Sequence, residues 1–121
     1  MSAELIVNGL IAAIERGDVD DVMSHLAEDC EWDNVPMGKI VGQQAIRKMM
    51  ATSISPTTPG RFEVLHQVAA GDIVMNERID KLEFAGKSVT IAVAGIFRVV
   101  DDRIVLWRDY FDLGQWQQQL K

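Results

Sequence analysis

Apolar residues recur every three or four positions in the first part of the chain and every second position in the last half. In "SAELIVNGLIAAIERG", Leu5, Ile6, Gly9, Leu10, Ala13 and Ile14 fall on one helical face. Ser2 can cap that helix, and Gly17 ends it. Asp18 then predicts a second short helix with Val22, Met23, Leu26 and Ala27 as its apolar residues. "CEWDNVPMG" reads as a short strand running into a Pro-Gly turn, and "GKIVG" as part of a turn. The spacing in "QQAIRKMMATS" predicts a third helix with Ile46, Met49 and Met50 inward, and "SISPTTPG" a loop. From Arg61 the period changes to two. "RFEVLHQVAAG", "DIVMNERIDKLEFAG", "KSVTIAVAGIFRVVDD" and "RIVLWRDYFD" are four consecutive strands separated by hairpin-like breaks. The tail "LGQWQQQLK" has room for one or two helical turns. Helices followed by a meander predict an α+β fold: a curved antiparallel or mixed sheet forming a cone, closed by the N-terminal helices, as one domain over 1–121.

One strand breaks the expected pattern. In "NERIDKLEF", Glu77, Ile79, Lys81 and Glu83 make an ordinary solvated face. The opposite face, continued from Val74, carries Asn76, Arg78, Asp80, Leu82 and Phe84, so three polar residues point where the core should be. The last strand repeats the anomaly, because Val105, Trp107, Asp109 and Phe111 share a side. Burying an unpaired carboxylate costs several kcal/mol or makes it take up a proton. Arg78 is the obvious counter-ion for both acids. The same residues admit two readings. One is a buried Asp-Arg-Asp network that fixes strand register. The other is a general acid and a general base bridged by one guanidinium.

Composition removes several function classes. The 121 residues are 48% hydrophobic, enough to bury a core, and the net charge of −6 argues against nucleic acid or an anionic membrane as partner. Cys30 is the only cysteine and no Cys/His metal spacing occurs, so neither an intrachain disulfide nor a metal site is expected. The N-terminal stretch lacks the basic start and small-residue cleavage site of a signal peptide, and no segment reaches the length of a membrane span. The expectation is a soluble, cytoplasmic protein.

Taken together, "ERIDKL", "IFRVVDDRIVLWRDYFDL" and "EWDNVPM" resemble the limonene-1,2-epoxide hydrolase family, from about Cys30 through Trp116. The resemblance implies the cone-shaped, cystatin-like α+β fold shared with ketosteroid isomerase. It also implies one-step opening of an epoxide to a diol without metal, cofactor or covalent intermediate. Carried over by position, Asp80 is the acid that protonates the epoxide oxygen, and Asp109 is the base that takes a proton from the attacking water. Arg78 bridges the two, and Asn34 helps hold the water. Family members are homodimers through the outer face of the sheet, and the apolar content of "TIAVAGIFRVV" permits that. The sequence departs from the family at Trp32, where the pattern has a tyrosine; an indole N–H donates a hydrogen bond but accepts none.

The expected partner is therefore a small apolar molecule in an enclosed pocket, lined by Trp32, His66, Asn76, Trp107 and Phe111. His66 is placed on the face of Phe62, Val64 and Val68 as a core or pocket-lining residue, His25 on the surface, and Cys30 in the core as an inert thiol. Gly95, opposite the polar row, is a position where the sheet can bend. Two rival functions use the same cone: an isomerase or cyclase in which one Asp shuttles a proton, and a small-molecule-binding protein without turnover.

Overall fold

The computed structural model describes residues 1–121. Helix α1 (Ala3–Arg16) starts where Ser2 Oγ accepts from the Leu5 N–H at 3.2 Å. It stops at Gly17, whose φ of 69° lies in the left-handed region. A side chain on Gly17 would also run into the backbone of Ser55, so the loop can close against the end of the helix only with glycine there. Helix α2 (Val19–Ser24) is capped by the Asp18 side chain and is shorter than the pattern predicts. Leu26 and Ala27 instead open strand β1 (Leu26–Asn34).

Strand β2 (Gly38–Val41) folds back on β1, so "GKIVG" is an edge strand and not merely a turn. Helix α3 (Gln43–Met50) follows, ending before the Ala-Thr-Ser that the pattern assigned to it. The four long strands are β3 (Arg61–Ala70), β4 (Ile73–Phe84), β5 (Lys87–Val100) and β6 (Arg103–Tyr110). The β5–β6 turn puts Asp101 and Asp102 at φ of 52° and 60°, the mirror-image geometry that suits tight hairpins. Helix α4 (Leu113–Gln119) is capped by Asp112, which accepts from the Gln115 N–H.

The strands form one open mixed sheet in the order β2-β1-β6-β5-β4-β3. Every pairing is antiparallel except β1 with β6, which run parallel. That one parallel contact brings the first strand beside the last and sets Asn34 next to Asp109 in register. Helix α1 covers one face, packing Ile6, Val7, Leu10 and Ile14 into a core with Val74, Phe97, Ile104 and Trp107. A smaller cluster of Val89, Ile91, Val93 and Trp116 docks α4 on β5. No helix is long and apolar enough to cross a membrane.

On β4, Val74, Asn76, Arg78 and Asp80 are buried and Met75, Glu77 and Lys81 are exposed, the alternation that its sequence predicts. On β3 the register slips between Val64 and His66. An extra residue in one strand turns every later side chain to the opposite face. Phe62 therefore points inward with Asp80, whereas past the bulge Gln67 pairs with Asn76 and turns toward the core side. His66, expected in the core or pocket, is on the outer face with its side chain 84% exposed and Nδ1 2.8 Å from Glu77 Oε1. His25 is corrected the other way. Its ring lies half-buried over Gly9, and Nδ1 meets the Asp21 carbonyl at 2.7 Å. Cys30 is buried, and burial first, then Asp29 and Glu31, push its thiol up to about 12, so it carries no reactive thiolate.

Candidate active site

Two strands supply the polar centre. Asp80 and Arg78 sit two apart on β4, so both face inward, and Asp109 reaches them from β6 across the single intervening strand β5. Arg78 is completely buried and forks onto Asp80, with Nε 3.0 Å from Oδ1 and Nη2 2.9 Å from Oδ2. Nη2 also lies 3.0 Å from Oδ1 of Asp109, an ion-pair contact without hydrogen-bond alignment. Asp109 Oδ2 accepts from the Trp107 indole N–H at 3.0 Å. The faces of the guanidinium are covered by Phe62, 4.6 Å to the ring centroid, and Phe97 at 5.8 Å. Those π-faces offset part of the lost hydration of the cation.

Two carboxylates and one guanidinium leave an excess negative charge in a buried site. Burial first, with a smaller push from Asp109, raises Asp80 to about 6, although its hydrogen bond and charge contact with Arg78 pull the other way. Burial also raises Asp109, against the pull of Arg78 and of the Trp107 hydrogen bond. Arg78 stays protonated: desolvation opposes its charge, but the two neighbouring carboxylates more than offset that. The acids are close enough to titrate as a pair, each held above the ordinary carboxylate range.

The pair forms the floor of a cavity of about 320 Å³. Asp80 and Asp109 both open into it, as does Asn34 beside Asp109. The walls are mostly apolar: Trp32, Phe62, Leu82, Ile91, Val93, Phe111 and Trp116, with Met37 and Met49 toward α3 and β2. Trp32 stacks on Trp107 with centroids 4.7 Å apart, and its indole nitrogen is buried without a hydrogen-bond partner. No group of three His, Cys, Asp or Glu side chains is arranged to hold a metal ion.

Of the residues expected to touch a ligand, Trp32 and Phe111 line this cavity. Trp107 and Asn76 do not. Trp107 is fully buried behind Trp32 as a donor to Asp109, and Asn76 is occupied by Arg78 and Gln67. His66 is outside altogether, removed by the β3 bulge. Several lining residues escaped the sequence reading. Lys39 and Ile40 belong to the unrecognised edge strand, and Trp116 to α4, although Asp112 with Gln115 three residues later was a usable capping signal.

The family model "Limonene-1,2-epoxide hydrolase catalytic domain" matches residues 1–121. The chain belongs to this family. As a limonene-1,2-epoxide hydrolase family member it is an enzyme of the epoxide hydrolase class. It is 35% identical over 111 residues to epoxide hydrolase EphG of Mycobacterium tuberculosis, covering 88% of this chain and 71% of that protein. The structure of an M. tuberculosis LEH-like epoxide hydrolase superposes with a TM-score of 0.81 at 28% identity, over 98% of this chain and 89% of that one. A Shewanella denitrificans protein assigned as a SnoaL-like polyketide cyclase has a TM-score of 0.80 at 16% identity, over 98% of this chain and 96% of that one. That last likeness shows the shared fold alone.

Proposed function

We propose that this family member opens a small, mainly apolar epoxide to a diol in one step, with water as nucleophile. The observation that carries the reading is one buried guanidinium touching two raised carboxylates at the floor of an apolar cavity. An epoxide is strained but a poor electrophile until its oxygen gains a proton. Asp80, flanked by Phe62 and opening into the cavity, supplies that proton. Asp109, beside Asn34, takes a proton from water as the water oxygen bonds to the ring carbon and the C–O bond breaks. The epoxide oxygen becomes one hydroxyl, the water oxygen the other, and the proton on Asp109 returns to Asp80 to reset the pair. Each proton transfer contributes about 10²–10⁴-fold in rate. Trp32 takes the wall position where the family has tyrosine, and with its indole nitrogen buried it offers the water no hydrogen-bond acceptor. Asn34 and Asp109 accept from it instead.

The first test is product formation from a panel of apolar epoxides. The expected result is a diol from at least one of them. Ring-opened carbonyl or cyclised products without added water would favour the isomerase or cyclase reading on the same fold.

The outer face of the sheet belongs to a second copy in this reading. Val68, Met75 and Tyr110 are exposed there around a groove that also includes Ala94 and Ile96. Apolar surface of that kind is disfavoured in a lone chain. Sedimentation should therefore report twice the chain mass of 13.5 kDa, and the double variant Val68→Glu, Met75→Glu should sediment at 13.5 kDa. A parent that sediments as a monomer overturns this assignment.

A further inference from the structure

Gly95 lies in the middle of β5, cross-strand from Asn76 on β4 and from Asp109 on β6. Its φ is outside the left-handed region, so the backbone does not call for glycine. A glycine inside a strand costs about 0.5–1 kcal/mol relative to alanine, and something must offset that cost. The space above it does. A Cβ on Gly95 would collide with Nη1 of Arg78, stand 2.8 Å from Oδ1 of Asp109 and lie 3.0 Å from Oδ1 of Asn76. Neighbouring strands are about 4.8 Å apart, so a side chain from β4 reaches an acid on β6 only by crossing β5. The missing side chain of Gly95 is that crossing.

Asn76 holds the other side of the guanidinium. Nε and Nη2 are committed to the carboxylates, and Nη1 donates to Asn76 Oδ1 at 2.8 Å. Asn76 Nδ2 donates to Gln67 Oε1 at 3.1 Å. Gln67 Nε2 in turn donates to Asn8 Oδ1 at 2.9 Å and to Glu4 Oε2 at 3.2 Å, both on α1. The bulge in β3 is what turns Gln67 to join this chain.

We infer that Gly95 and Asn76 are positioning residues that fix the Arg78 guanidinium between Asp80 and Asp109, and thereby set how the two acids share their proton. The catalytic consequence rests on the reading under Proposed function; the geometry does not. Asp80 and Asp109 are the charged groups in contact with Arg78. Of the elements around it, β3 contributes Phe62 and Gln67, β5 contributes Gly95 and Phe97, and α1 contributes Glu4 through Gln67. Lys39 on β2 lines the same cavity, paired with Glu31 at 3.6 Å. Displacing the guanidinium withdraws the positive charge that holds both carboxyl groups down, so both should titrate at higher pH.

The test uses the full chain, carboxyl-¹³C-labelled at aspartate, as Gly95→Ala and Asn76→Ala. The Asp80 and Asp109 signals are assigned with Asp80→Asn and Asp109→Asn. With circular dichroism unchanged, the carboxyl midpoints should rise by about one pH unit, more in Gly95→Ala than in Asn76→Ala. The turnover profile should move to higher pH with them, and kcat should fall about a hundredfold for Gly95→Ala while KM stays within about twofold. Should Gly95→Ala fail to fold, Asn76→Ala decides. Folded variants with parental midpoints and a parental kcat profile overturn the inference. If the parent forms no diol, the function falls, while the carboxyl midpoints still judge the positioning role.

Discussion

Arg78→Met should lose about 3–5 kcal/mol of stability at pH 8, the penalty of removing one partner from a buried charge cluster. For a chain of this size that is a drop in Tm of roughly 10–20 °C. Two carboxyl groups would remain enclosed with no cation, beside rings that had faced a guanidinium. The loss should depend on pH in a definite direction. In the parent, Asp80 is already raised to about 6 and Asp109 is raised as well. Without Arg78 both rise further above their unfolded values. A carboxyl whose folded value is the higher one holds its proton in the native state while the unfolded chain has lost it. Its destabilising effect is absent below about pH 4 and grows as pH climbs through the folded value. Thermal melts of parent and variant should therefore nearly converge at pH 4–5 and separate to a plateau by pH 8. An equal deficit at both pH values would mean that the arginine acts only by filling space.

Asp80→Asn and Asp109→Asn should each lower kcat by about 10³-fold or more, because in the proposed reaction each removes one of the two proton transfers. Their stability should move the other way from that of Arg78→Met. Either change leaves one carboxylate facing one guanidinium, a neutral pair in place of an excess negative charge. Removing Asp80 also removes a carboxyl that burial raises from the ordinary aspartate range to about 6, a destabilising term of about 3 kcal/mol at pH 8. Asp80→Asn should melt at or above the parent temperature at pH 8 and lose that advantage at pH 4. Steady-state kinetics and melts on the same preparations check both halves. A variant that is less stable and fully active would make the network a register-fixing device, the bland reading of the sequence.

The polar face was legible because β4 keeps strict alternation, and β6 keeps it from Trp107 to Asp109. A register shift at Val105 turns Ile104 inward in place of Val105, which the alternation had put beside Trp107. A period of two admits one answer about which side Arg78, Asp80 and Asp109 share, and Val74, Trp107 and Phe111 say which side is inward. Asn34 was harder to place, since its neighbourhood depends on a parallel pairing between the first and last strands, which no local pattern encodes. His66 failed for a physical reason. A single-residue bulge in β3 inverts the parity beyond Val64, and "VLHQV" carries neither Gly nor Pro to announce it. The same bulge hid Gln67, the link between α1 and the arginine. Gly95 was visible as an oddity in a strand, but the cause is a guanidinium arriving from the neighbouring strand and not a bend. Trp107 and Asn76 were correctly placed on the polar face, yet depth decides contact. Both are filled by protein partners before a ligand can reach them.

The most direct measurement is a single turnover in ¹⁸O-water with enzyme in excess over epoxide. If Asp109 activates water and Asp80 protonates the leaving oxygen, the first diol formed carries one ¹⁸O and the protein none. Unlabelled diol in that first turnover, with ¹⁸O later found in an aspartate carboxyl, would mean that a carboxylate had attacked the ring itself.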